Sequence, residues 1–209
     1  MARPTVVVLD YGFGNIRSAQ RALERVGAEV TVSADREAAE RADGLVVPGV
    51  GAFAACMTGL SDVGAPEVVR RRVAAGAPVF GICVGMQVLF EAGVEHGVRS
   101  AGLGLLLGEV GPLDAPVRPH MGWNTVSSEP RSRLFAGLPD GTRFYFVHSY
   151  AVPDTVDLRE RAVVATSEYG QAFVAAVESG AVSATQFHPE KSGDAGAALL
   201  ANWVGSLCR

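Results

Sequence analysis

Cysteine is scarce in this 209-residue chain: only Cys56, Cys83 and Cys208 occur, and no two form a CxxC pair. An odd, sparse set supplies neither a disulfide framework nor the spacing of a zinc site. It reads as reduced thiols in a cytosolic protein, with Cys56 and Cys208 structural and one cysteine to be weighed as a nucleophile. Long apolar runs are missing as well. No stretch approaches the roughly 18 apolar residues of a membrane span. The run from Thr5 to Leu9 behind Met1-Ala2-Arg3-Pro4 is too short for a signal segment, and no small-residue cleavage site follows it. A cytoplasmic location without membrane contact is expected. A large excess of charge is also absent. The net charge of −4 predicts no bulk attraction to nucleic acid or to an anionic surface. Nucleotide loops are lacking too. There is no GxxxxGK[ST], and Asp10-Tyr11-Gly12-Phe13-Gly14-Asn15 is followed by Arg17 where a dinucleotide loop needs its third glycine. Repeats, low-complexity tracts and linkers are not found, so residues 1–209 read as one domain.

What is present is a globular composition, 48% hydrophobic and 19% charged. The first half alternates two patterns. Val6-Val7-Val8-Leu9 is the β-branched run of a strand buried on both faces, and Ile16, Ala19, Leu23 and Val26 then recur at helical spacing until Gly27. The alternation continues with strands at Glu29–Ser33, Gly44–Val47 (ended by Pro48) and Pro78–Ile82. Helices are expected at Asp35–Ala42, Ala52–Leu60, Pro66–Ala75 and Val84–Ala92. This order predicts an α/β fold with a doubly wound, mostly parallel sheet. From about Leu103 to Gln186 strand signals dominate, which predicts antiparallel strand additions in the second half, before a last helix over Gly193–Leu207. Sites in such sheets gather at the carboxyl ends of strands, here the loops after Leu9, Val47 and Ile82.

Three segments carry chemistry. Gly81-Ile82-Cys83-Val84-Gly85 lies between a predicted strand and a predicted helix, the context of a nucleophile elbow, where small neighbours admit a closely approaching backbone. A thiol at a helix N-terminus favours its thiolate. Taken alone, the motif reads more readily as a buried cysteine between turn glycines. Gln186-Phe187-His188-Pro189-Glu190 ends the last predicted strand. In an extended segment positions i and i+2 share a face, so Glu190 is placed to accept the ring proton of His188 and fix its tautomer; alone, this pair reads as a surface His beside a solvated Glu. A cysteine elbow needs a base, and a base at a neighbouring strand end supplies it. Pro48-Gly49-Val50-Gly51-Ala52-Phe53 follows the third strand and offers glycine peptides able to aim N–H groups at an oxyanion, or else is a plain turn.

With these three segments in this order, the chain resembles the class I, triad-type glutamine amidotransferases over most of its length. Within that class it is similar to the glutaminase subunits of imidazole glycerol phosphate synthases, enzymes of histidine biosynthesis. The residues that carry this narrower likeness are Asp10-Tyr11-Gly12, Gly14-Asn15, Gly81–Gln87, Pro119-His120-Met121-Gly122-Trp123-Asn124, Tyr145–Tyr150 and Phe187–Ser192. The resemblance implies a flavodoxin-like fold and glutamine hydrolysis through a Cys83 thioester. His188 would act as acid and base, and Glu190 as its orienter. It implies Gly51 and Val84 N–H groups as oxyanion donors, Gln87 as a grip on the glutamine head group, and Glu95, Ser149 and Tyr150 as further substrate contacts. No cofactor and no metal are implied. Ammonia would pass to a cyclase subunit with a (β/α)8 barrel, in a heterodimer whose glutaminase idles until the cyclase holds its ribotide ligand. The departures are Val84 where leucine is expected, and Gly193-Asp194 after Lys191-Ser192. Three alternatives stay open: a sister amidotransferase, a cysteine-elbow protein of the stress-chaperone or protease type, and a non-catalytic binding module.

Overall fold

The computed structural model describes residues 2–207; Cys208 lies outside them. Strand β1 (Thr5–Leu9) is buried after its first residue. Helix α1 (Ile16–Arg25) buries Ala19 and Leu23, and β2 (Glu29–Ser33) follows. Helix α2 (Arg36–Arg41) is capped by the Asp35 carboxylate, which accepts the Ala38 N–H at 2.7 Å. Strand β3 (Gly44–Gly49) runs through Pro48 rather than stopping there. Pro48 stays in register with Ile82, and its carbonyl takes the Tyr11 hydroxyl. Helices α3 (Phe53–Asp62) and α4 (Ala65–Ala74) lead to β4 (Val79–Cys83).

The helix expected over Val84–Ala92 is a single turn, α5 (Val84–Gln87), and the chain then enters β5 (Phe90–Glu95). The cause lies far along the chain. The Val88 carbonyl accepts the N–H of Leu103, and the Leu89 carbonyl those of Leu105 and Leu106, so neither is left for a helical turn. Strands β6 (Val98–Ala101), β7 (Leu106–Pro112), β8 (His120–Val126), β9 (Thr142–His148) and β10 (Tyr150–Ala151) come next. Helix α6 (Val156–Arg161) starts at a Thr155 cap. Strands β11 (Val163–Tyr169), β12 (Gln171–Ser179) and β13 (Val182–Thr185) precede a 3-10 turn at Pro189–Lys191 and helix α7 (Gly193–Ser206).

The central sheet has the order β11-β12-β13-β4-β3-β1-β2. Its five strands from β13 to β2 are parallel, in the flavodoxin-like order, and β12 and β11 extend it antiparallel. The expected antiparallel additions are therefore only partly in this sheet. The rest form the separate antiparallel ribbon β8–β9 and a mixed four-stranded sheet, β10-β7-β5-β6, in which β5 and β7 run parallel. Between ribbon and sheet, Phe187 is fully buried and stacks on Phe144 at 4.1 Å. Burying one such ring contributes about 1.5–3 kcal/mol and fixes the strand end from which His188 projects.

Candidate active site

Strand β4 delivers Cys83 to the carboxyl edge of the sheet with φ 57° and ψ −114°, a left-handed conformation that costs a non-glycine residue energy and is typical of elbows. The flanking glycines are demanded by contact. A Cβ on Gly85 would sit 1.9 Å from the Val47 carbonyl oxygen, and one on Gly49 would sit 2.2 Å from the Gly85 nitrogen. The loop after β3 is thereby pressed against α5, with Gly49 in register with Cys83. The thiol is buried and receives the Gln186 side-chain N–H at 3.7 Å.

His188 reaches the same edge from the end of β13. Its backbone N–H bonds to the Tyr145 carbonyl at 2.9 Å, and its carbonyl accepts the Ser192 hydroxyl at 2.7 Å, tying it to β9 and α7. Its Nδ1 lies 2.8 Å from Glu190 Oε1, with the two side chains 2% and 1% exposed. A carboxylate only accepts, so Nδ1 carries the proton and Nε2 is free to take one. The i, i+2 pairing is thus present, but the backbone between the two residues is a 3-10 turn, not the extended segment expected. Asn15 Nδ2 approaches the same Glu190 oxygen at 3.4 Å. Burial pulls the His188 pKa down. Bonding to Cys83 and Glu190, with the negative charge of both, outweighs it and lifts the ring to about 9. Since Nδ1 is taken by Glu190, the Cys83 interaction is on the Nε2 side. Nε2 makes no hydrogen bond of good geometry, a looseness common before substrate binds.

A cavity of about 200 Å³ gathers eight of the nine residues named from sequence: Cys83, Val84, Gln87, Glu95, Gly51, Ser149, Tyr150 and His188; Glu190 stands behind His188. Two of them are already engaged within the fold. Gln87 is buried. Its amide nitrogen bonds to the Tyr150 carbonyl and to Gln186 Oε1, both at 2.9 Å, so only its own oxygen is left for a ligand. Glu95 ends β5 and accepts the Phe53 N–H at the start of α3 at 2.9 Å. Gly51, with φ 89° and open space at its Cβ position, and Val84, the first residue of α5, line the cavity together with the cysteine. Val84 N–H heads a helix and has no intrahelical acceptor.

Several neighbours make contacts that the sequence did not reveal. Cys56 donates its thiol to the Val50 carbonyl at 3.3 Å and the Tyr11 hydroxyl holds that of Pro48, so the glycine loop is anchored from below. Burial, only partly offset by the bonds to Tyr11 and Val50, pushes the Cys56 pKa up to about 11, which suits a structural thiol. Gln186, two residues before His188, is visible in sequence only as part of a buried strand. Among the described residues no group of three or more His, Cys, Asp or Glu side chains is placed to hold a metal ion. The arrangement provides a buried sulfur nucleophile and a base with a fixed tautomer in one cavity whose wall includes Gly51 and the helix-heading Val84, the setting that acyl transfer through a thioester requires.

The family model described as glutamine amidotransferase class-I matches residues 7–206. The chain is 61% identical over 207 residues to the imidazole glycerol phosphate synthase subunit HisH of Streptomyces avermitilis, covering 97% of this chain and 96% of that one. It is likewise 61% identical to the protein of that name from Mycolicibacterium paratuberculosis, covering 99% and 100%. Among solved structures it is similar in fold to PurLQS from Thermotoga maritima, with a TM-score of 0.75 at 20% identity over 99% of this chain and 100% of that one.

Proposed function

The chain belongs to the class-I glutamine amidotransferases, and from that premise we propose that it is the glutaminase subunit of an imidazole glycerol phosphate synthase, a single amidotransferase domain working in the cytoplasm. Cys83 Sγ attacks the side-chain amide carbon of glutamine. The oxyanion that forms is met by N–H groups of Gly51 and Val84, and the imidazolium of His188 protonates the departing ammonia. The thioester left on Cys83 is hydrolysed by water that His188 deprotonates, releasing glutamate. Glu190 holds the ring tautomer for both steps. Gln87, Glu95, Ser149 and Tyr150 position the substrate. The observation that carries this reading is the Glu190-bound imidazole and the strained Cys83 in one small cavity.

Ammonia needs a consumer, and the surface beside the cavity is suited to receive one. Met121 and Trp123 project from one face of β8 and are 67% and 48% exposed. Trp123 meets Tyr145 edge-on, Lys191 lies over the Tyr145 ring and Arg143 bonds to the Trp123 carbonyl, so an apolar patch with cations beside it adjoins β9, whose Tyr145 carbonyl holds the His188 N–H. A cyclase subunit with a (β/α)8 barrel is the partner that this patch and the named relatives support.

Glutamate release is measured for the chain alone, with a cyclase subunit, and with that subunit plus its ribotide ligand. Strong stimulation only in the full mixture is expected, and Cys83→Ala should abolish it while leaving the fold intact. High activity of the lone chain, none in any mixture, or glutamate release by the Cys83→Ala protein would overturn the reading.

A further inference from the structure

Two buried histidines, His120 and His148, have no part in the steps above. They are paired residues on β8 and β9, 4% and 6% exposed. His120 Nδ1 lies 3.0 Å from His148 Nε2. The direction of every bond around them is forced. His148 Nδ1 is 2.9 Å from the Tyr150 carbonyl, and a carbonyl only accepts, so Nδ1 carries the hydrogen. A neutral His148 then accepts at Nε2, which makes His120 Nδ1 the donor and leaves His120 Nε2 to accept from Asn124 Nδ2 at 3.3 Å. The Asn124 amide is oriented independently, because Nδ2 also donates to the Glu168 carbonyl at 2.8 Å and Oδ1 accepts the Thr125 N–H at 2.8 Å. One neutral arrangement satisfies all of these bonds, with both rings in the Nδ1–H form. Protonating His148 would set an Nε2–H against the His120 Nδ1–H. His120 is stacked between Phe146 and the titratable Tyr169, at 4.9 and 4.2 Å, and the titratable groups that act on His148 are His120 and His188.

The chain of bonds ends in the glutamine cavity. The Tyr150 carbonyl that His148 holds is the one that binds Gln87, and Gln87 in turn orients Gln186, whose amide donates to Cys83. We propose that His120 and His148 are positioning residues for glutamine, a neutral imidazole pair that fixes the Tyr150 carbonyl and through it the buried amides beside the thiol. This role rests on the glutaminase reading.

The geometric part is tested by nitrogen-15 NMR of the histidine-labelled chain between pH 5 and 8. Both rings should show a protonated Nδ1 and a bare Nε2 throughout. An Nε2–H tautomer in either ring, or titration of either near its ordinary pKa, would overturn the proposal. The functional part uses glutamine kinetics of the complex with the cyclase subunit and its ligand. His120→Phe keeps the stacking and removes the donor to His148. Its KM for glutamine should rise about tenfold, the loss of one buried hydrogen bond, with kcat within about twofold. His120→Gln restores a donor and should return KM to within about threefold of wild type. Unchanged KM in His120→Phe, or a loss confined to kcat, would overturn the positioning role. A wild-type complex that released no glutamate would instead overturn the glutaminase reading and the role built on it.

Discussion

Glu190 shows how much of the site depends on one oxygen. Its Oε1 receives the His188 proton at 2.8 Å and the Asn15 amide at 3.4 Å. Replacing it with glutamine keeps the shape and removes the charge that helps hold the ring near pKa 9. We expect Glu190→Gln to lower kcat about 10²- to 10⁴-fold with little change in KM, since the amide can select the wrong ring tautomer. The pH profile should move as well. Acylation starts from thiolate and imidazolium, so the wild-type rate falls as pH rises through about 9. In the variant that limb should shift toward the ordinary histidine range, and a rate profile across pH 6–10 checks it. The triad residues were legible in sequence because each sits in a short motif with its own chemistry. The bonds of Tyr11 and Gln186 were not, because their partners lie far away in sequence: Tyr11 grips the Pro48 carbonyl of the glycine loop, and Gln186 meets a thiol 103 positions earlier.

At the scale of elements, the junction of β3, β4 and α5 is the tightest part of the molecule. Gly85→Ala would drive a methyl carbon to 1.9 Å from the Val47 oxygen, and that atom belongs to backbone in the sheet centre. Destabilisation of at least about 3 kcal/mol is expected, read from the midpoint of chemical denaturation. The parallel sheet was readable because β1 and β3 hold continuous apolar runs, Val6–Leu9 and Leu45–Val47, and helical spacing separates one strand from the next. The segment after the elbow was not. Val88, Leu89 and Phe90 are all fully buried, and a run buried on every side has no periodicity to separate helix from strand. Strand β6 escaped notice for the opposite reason, being four mostly exposed residues with little apolar signal. Helix α6 left a legible mark, a Thr155 cap three residues before Leu158, but a helix of one buried side chain gives too weak a pattern to stand out. The His120–Asn124 spacing places both on one face of a strand, yet the partner His148 is known only once the register of β8 and β9 is known.

For the whole molecule, the imidazole pair couples folding to acid. In the folded chain burial pushes His120 down to about 4 and His148 down to about 3. An unfolded chain holds histidine near 6.5, so below that value the unfolded state binds more protons. The stabilisation is complete above about pH 6.5 and is lost as pH falls toward 4 and then 3, by up to about 1.4 kcal/mol per pH unit for each ring. Melting temperatures between pH 7 and 4 should therefore drop steeply, and His120→Phe should make that slope shallower. A flat wild-type profile would contradict neutral rings. The Met121 and Trp123 face has a different consequence at this scale. With a partner seated there as proposed, every surplus copy of the chain is a sticky particle that meets other surplus copies as their number grows. Matched synthesis of the two subunits then serves solubility as well as nitrogen economy.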